Sequence, residues 1–253
     1  MLRRFAIVLI FISLGSWGSY YIYQATLGQQ ETVEQCTASP VSKIKNTPTP
    51  KKATITLTAA GDCLMHNTQI WSGLQADGSY CFDSFFPEVR DLIMEGDYSS
   101  INFEAAMAGP ESAYTGYPLF NSPDAMAKTL KEAGFDLVVT ANNHSLDRGV
   151  KGAIRTLEVL QQAGLDTLGT YKSEKDSHTY LIKDIKGVKV AYLAYTYGTN
   201  GIPLPNEYSF LINFLDEKEI LADIKVIRPQ VDVLVLVLHW GLEYNPRPSD
   251  LQK

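Results

Sequence analysis

The stretch "VDVLVLVLHWG", residues 231 to 241, is apolar without interruption from Val233 to Leu238 and then meets His239. A strand with one wet face alternates apolar and polar residues. A continuous Val/Leu run belongs instead to a strand covered on both faces, as in a sheet flanked by further layers. That requirement excludes small open sheets and simple helical bundles, and it predicts an α/β architecture for the chain around it.

The rest of the sequence from residue 54 agrees, since short apolar runs alternate with amphipathic helical segments. "ATITLTAA" reads as a first strand ending at Gly61, "FFPEVRDLIMEG" as a helix and "YSSINF" as a second strand. "SPDAMAKTLKEAG" reads as a helix with Ser122 as N-cap, Pro123 in the first turn and a stop at Gly134, and "DLVVTA" as a third strand. In "GVKGAIRTLEVLQQAG", Val150, Ile154, Leu157 and Leu160 line one helical face and Gly164 is placed to end it. "HTYLIKDIKGVKVAYLAY" predicts two strands joined at Lys186-Gly187, and "DEKEILADIKVI" a helix stopped by Pro229. Residues 105 to 122 form a long loop, of a length that usually serves function or is disordered.

Before residue 54 the composition changes. Arg3 and Arg4 precede an uncharged, mostly apolar run from Phe5 to Tyr23, close to the ~20 residues a membrane-crossing helix needs. Residues 1 to 27 are therefore expected to be a transmembrane signal anchor, favoured over a cleaved signal peptide because no clean small-residue cleavage site follows. Basic residues on its N-terminal side place the remainder outside the cell membrane. Residues 28 to 53, rich in Thr, Ser, Pro, Gln and Lys, read as a disordered linker to a domain spanning residues 54 to 253. Of 22 basic and 28 acidic side chains, six and two lie in the first 53 residues, leaving 16 and 26 in the domain and a net charge of −10. Such a domain is a poor binder of nucleic acid. Cys36, Cys63 and Cys81 are too few and too irregular for a disulfide framework or a zinc knuckle. A Cys63 to Cys81 bridge and a small buried Cys63 both remain open.

Four strands end in polar residues: Asp62 and His66 after the first, Asn102 and Glu104 at the second, Asn143 and His144 after the third, and His239 after the last. In open α/β sheets ligands bind beyond the carboxyl ends of strands, so these groups are expected to converge. Carboxylate, amide oxygen and imidazole together suit a divalent ion such as Mn, Fe, Zn or Mg rather than a soft thiolate site. Each residue alone has a plainer reading: Asp62 as a turn residue, His239 as a core histidine, Glu104 as a buried ion-pair partner, Asn142 or Asn143 in left-handed turns. Four strand ends sharing the pattern are harder to explain by packing, because buried polar groups cost free energy unless satisfied. Asp147 is expected to cap the helix that starts near Gly149, and His178 to be an exposed loop residue.

The series "GDCLMH", "NFE", "TANNHSLDRGVKG", "TLEVLQQAGLDTLG" and "HWGLEYNPRPSDLQ" resembles the CapA family of bacterial capsule, or poly-γ-glutamate, synthesis proteins, whose domain is similar to calcineurin-like metallophosphatases. The resemblance runs from about Ile55 to the C-terminus. It implies a layered α/β sandwich, mixed sheets flanked by helices, in a membrane-anchored, outward-facing protein. The implied partners are the polyglutamate polymer and capsule synthase subunits. Carried over by position, Asp62, Glu104, Asn143 and His239 match metal ligands and His144 the histidine that protonates a leaving group. His66 stands four residues after Asp62, where the pattern has a gap of two, and is a looser match. Asn102, Asn142 and Glu243 are further pocket candidates. A downstream histidine motif usual in the family has no counterpart after His239, so the chain is expected to be a fragment with an unfinished site. Three activities are consistent with these residues: a metal-dependent step in capsule assembly, an exported phosphoesterase or nucleotidase, and a non-catalytic assembly factor on the same fold.

Overall fold

Strand parity sorts the buried side chains into layers. The computed structural model describes Ala6–Ile12, Tyr21–Gln24 and residues 53 to 253. Its strands are β1 (Ala6–Ile12), β2 (Tyr21–Gln24), β3 (Thr56–Cys63), β4 (Tyr98–Phe103), β5 (Leu137–Val139), β6 (Asp166–Leu168), β7 (Leu181–Ile185), β8 (Val188–Thr196) and β9 (Val233–His239). Its helices are α1 (Asn67–Gly73), α2 (Pro87–Met94), α3 (Ala125–Ala133), α4 (Gly149–Gln162), α5 (Glu174–Ser177) and α6 (Glu217–Ile227). One sheet has the order β2-β3-β4-β5-β6, the other β1-β9-β8-β7. Pairing is parallel except for β2 with β3 and β7 with β8.

Along β9, Val235 and Val237 join Val190, Tyr192 and Ala194 of β8 in a core shared with Tyr98, Leu137 and Val139 of the other sheet. The intervening Leu234, Leu236 and Leu238 pack with Ile220, Ile224 and Ile227 of α6. Ile101 and Phe103 of β4 and Val138 of β5 instead face Met126 and Leu130 of α3 and Leu160 of α4. The order is helices, five-stranded sheet, four-stranded sheet, helix, a mixed α/β fold in which β9 is covered on both faces. Its uninterrupted apolar run requires that cover.

Several local expectations are revised. The first strand runs on through Gly61 to Cys63. Ser122 does not cap α3: Asp124 occupies the cap position without a side-chain bond, while the Ser122 N–H donates to the Ala106 carbonyl. Two others hold as read: Gly134 ends α3 at φ 105°, and Lys186 and Gly187 turn the β7–β8 hairpin at φ 52° and 85°. The short α1 and the three-residue β6 were not foreseen. Cys63 and Cys81 are both free thiols.

The expected anchor and linker, with Cys36, fall mostly outside the described residues. The two stretches of the anchor that are described are extended, β1 beside β9 and β2 beside β3. The backbone of an apolar segment satisfies its polar groups within a helix, as lipid requires, or against a free strand edge, and β9 and β3 offer such edges. No helix among the described residues is long and apolar enough to cross a membrane.

Candidate metal centre

An irregularity in β3 aims the first site residue. Ala60 pairs with Ile101 and Asp62 with Asn102, so Gly61 is an extra residue and the register shifts around it. Ahead of this bulge Ile55 and Leu57 face the other sheet, and Ala60 faces the helices. Without the bulge Asp62 would follow Ala60 toward the helices. The extra residue turns Asp62 to the inter-sheet side, and a glycine takes that place readily. Asn102 and Glu104 share the parity of Tyr98 and reach the same side, as does His239 with the parity of Val235 and Val237.

The result is a cluster in which Asp62, Glu104 and His239 each offer a ligand atom, all within 4.8 Å of one another. Glu104 is 1% exposed, and its Oε1 lies 3.8 Å from His239 Nε2 and 3.9 Å from His144 Nε2. His239 Nε2 is 2.8 Å from Asn143 Oδ1. A line of carboxamides holds Asp62: Asn142 Nδ2 donates to Asn102 Oδ1 (3.2 Å) and to the Phe103 carbonyl (2.8 Å), and Asn102 Nδ2 donates to Asp62 Oδ1 (2.8 Å). Asn142 Oδ1 in turn accepts from the His144 N–H at 3.1 Å. Asn142 and Asn143 are not in left-handed conformations. They are buried and committed to the site.

Asp147 is not the helix cap expected of it. The N-cap of α4 is Arg148, with no side-chain bond, while Asp147 is buried with Oδ2 2.8 Å from His144 Nδ1 and accepting from the Phe120 N–H at 2.7 Å. It holds the imidazole and the loop over it at once. Phe120 lies edge-on to His144, ring centres 4.7 Å apart. The long loop is pinned elsewhere too: Arg148 donates to the Leu119 carbonyl and to Thr115, Arg155 to the Met107 carbonyl and Asp124, and the Gly116 N–H to Asn67 Oδ1. Both arginines thus hold the loop.

His66 is not brought into the cluster. It is exposed at the start of α1, edge-on to Phe120 at 5.2 Å. Glu243 is exposed beyond β9, and its charge reaches Glu104. Two contributors went unforeseen. Tyr197 stacks on His239, ring centres 6.1 Å apart and planes 11° from parallel. Asn200 accepts from Asn143 Nδ2 at 3.0 Å. Both follow β8, where "YGTNG" reads only as a turn.

Burial and mutual repulsion disfavour ionising both acids of the cluster. Burial, followed by the charge of Asp62, pushes the Glu104 carboxyl up to about 9. Burial likewise raises Asp62, against the hydrogen bonds that Asn102 and Glu104 offer it. His239 is pushed down to about 4 by burial and then by His144, which keeps its imidazole neutral and able to ligate. Glu104 Oε2 and His239 Nδ1 are buried without hydrogen-bond partners. Two facing carboxylates with a spare acceptor, a neutral imidazole and an amide oxygen form a donor set that a divalent ion fits, since its charge reverses the penalty of ionising both acids.

Comparison with known proteins bears on the family of the chain. The chain is 29% identical over 210 residues to the capsule biosynthesis protein CapA of Bacillus anthracis, covering 79% of this chain and 49% of that protein. It is 29% identical over 185 residues to the PGA biosynthesis protein CapA of Bacillus subtilis, covering 68% and 46%. The chain therefore spans about half the length of these relatives. A solved Staphylococcus aureus structure, named as a candidate 5′-nucleotidase in complex with α-ketoglutarate, aligns at a TM-score of 0.38 and 16% identity over 58% of this chain and 29% of that one, too distant to argue from. The family model for bacterial capsule synthesis protein PGA_cap matches residues 56 to 253, every site residue included, and the chain belongs to that family.

Proposed function

We propose that this domain is a metallophosphatase-like, divalent-metal-dependent hydrolase or transferase that serves poly-γ-glutamate capsule assembly on the outer side of the cell membrane. The observation that carries the reading is the convergence of Asp62, Glu104 and His239 from strand ends of two different sheets, with ligand atoms within 4.8 Å. Asn143 would supply a further ligand oxygen. A bound ion would act as a Lewis acid toward a phosphoryl or carbonyl oxygen and neutralise charge developing there. His144 would hand a proton to the leaving group from Nε2, while Asp147 fixes Nδ1 and the ring plane. Phe120 and the pinned loop would exclude water from the back of that imidazole. The membrane would be engaged through the apolar run from Phe5 to Tyr23, which would require Ala6–Ile12 and Tyr21–Gln24 to leave their places beside β9 and β3, and the polymer and synthase subunits would be the partners. The net charge of −10 over residues 54 to 253 repels a polyglutamate chain, so the ion would also make its approach tolerable.

The test is metal content and turnover together. The purified ectodomain, extended past residue 253, should carry stoichiometric divalent metal and hydrolyse an activated phosphoester. His144→Ala should keep the metal while kcat falls by about 10²–10⁴-fold. Absence of metal from the wild-type protein, with normal capsule in a host relying on Glu104→Ala or His239→Ala, would sink the reading.

A further inference from the structure

Asn200 belongs to none of the motifs that mark the site, yet its carboxamide bridges two of the site's residues from across the sandwich. It sits on the turn after β8, at φ 51° and followed by Gly201 at φ 77°. The turn is closed by Thr199, whose Oγ1 donates to the Ile202 carbonyl at 2.7 Å and whose carbonyl accepts from the Ile202 N–H at 2.9 Å. Asparagine tolerates this left-handed backbone better than other non-glycine residues. Here the side chain is also engaged: Oδ1 accepts from Asn143 Nδ2 at 3.0 Å, and Nδ2 lies 3.4 Å from both ring nitrogens of His144.

The polarity of these contacts runs one way. Asp147 Oδ2 faces His144 Nδ1 at 2.8 Å and fixes the position of the ring. Asn200 Nδ2 is equally far from the two ring nitrogens, so it stands over the His144 ring and not in line with either, and an aromatic face takes an N–H in preference to a carbonyl oxygen. With that end committed, Asn200 turns its oxygen to Asn143 and draws the Asn143 NH2 toward itself. The Asn143 oxygen is left facing His239 Nε2 at 2.8 Å, beside Glu104 and Asp62. An amide ligates a cation through oxygen and repels it through NH2.

We infer that Asn200 is a positioning residue that sets which end of the Asn143 carboxamide faces the Asp62–Glu104–His239 cluster, presenting its oxygen there. This rests on the proposed metal centre, and it adds a contributor from the four-stranded sheet to a ligand on the five-stranded one. The test uses the full chain, purified in detergent, with Mn²⁺ alone as probe. Asn200→Gly removes the side chain where glycine adopts the same φ without strain. Its Mn²⁺ dissociation constant should rise about 10-fold, as on loss of an outer partner of a ligand. In the metal-free protein the His239 imidazole ¹⁵N spectrum should show a single Nε2–H tautomer in the wild type and a mixture in Asn200→Gly. Asn200→Asp, which keeps an acceptor for Asn143, should restore the single tautomer. Wild-type Mn²⁺ affinity in Asn200→Gly overturns the inference. Should the wild-type chain itself bind no Mn²⁺, the metal centre fails, and the tautomer comparison alone then decides whether Asn200 orients Asn143: a mixture in Asn200→Gly upholds it and an unchanged spectrum rejects it.

Discussion

A carboxylate that is 1% exposed has to be neutral, paired with a cation or bound to one, and among the described residues Glu104 meets Asp62 and two imidazoles but no lysine or arginine. Its charge is a cost to the metal-free fold that an ion would remove. Glu104→Gln, similar in shape and uncharged, should therefore stabilise the metal-free protein by about 1–4 kcal/mol at pH 8 in urea unfolding. The same substitution should weaken Mn²⁺ binding by more than the ~10–100-fold that loss of an outer partner costs. At this scale much was legible, because Asp62, Glu104, Asn143, His144 and His239 are polar residues where apolar strands end, a combination packing does not explain. Asp147 was misjudged because an aspartate before a helix most often caps it, and a carboxylate that swings back to a histidine three residues earlier has the same local sequence. Asn200 was invisible, since Asn-Gly after a strand is also the ordinary chemistry of a turn.

At the level of elements, the site depends on two irregular pieces, the bulge at Gly61 and the loop of residues 105 to 122. Gly116 is buried in that loop, and a Cβ there would lie 2.6 Å from the Asn67 nitrogen and 2.9 Å from His66 Cα. Both are backbone atoms at the start of α1, so neither can swing away. Gly116→Ala should lift the loop, destabilise the protein by about 1–3 kcal/mol, and speed proteolytic nicking between residues 105 and 122. Regular elements were the easiest to read: β4, β9 and α6 lie close to where periodicity puts them, as their apolar pattern is set by two covered faces or one. α1 and β6 were missed because seven and three residues give too little periodicity to detect, and α1 leaves Trp71 66% exposed. The bulge had a faint signal, a glycine inside a strand.

For the whole molecule, the buried acids make stability depend on pH. Glu104 ionises near 4.5 when unfolded and near 9 when folded without metal, so the stability it contributes is complete below 4.5 and lost as pH rises toward 9. His239 acts oppositely, its folded value of about 4 lying below the ordinary 6.5, so its contribution is complete above 6.5 and lost as pH falls through 4. Between pH 6.5 and 9 only the first trend remains, and the Tm of chelator-treated protein should fall across that window. Mn²⁺ should raise Tm by an amount that grows with pH, because protons compete with the ion for the same oxygens. A metal-free Tm that is flat or rising there would contradict a buried carboxylate pair. The α/β class was foreseen from the alternation of strand and helix and the doubly covered β9, and the layered sandwich from the family resemblance, whereas the pairing of particular strands was not foreseen, since parity shows which face is buried and not which strand lies beside it.

The convergence of Asp62 and Glu104 from one sheet with His239 from the other has a consequence for descent. Neither sheet inherits the chemistry by itself. On the proposed metal centre, a lineage could lose the ion through a change in either sheet and still keep a folded sandwich, so copies of this architecture with silent centres would be an expected product of its evolution, and the joint presence of the three residues in a relative would say more about its chemistry than the degree of overall identity.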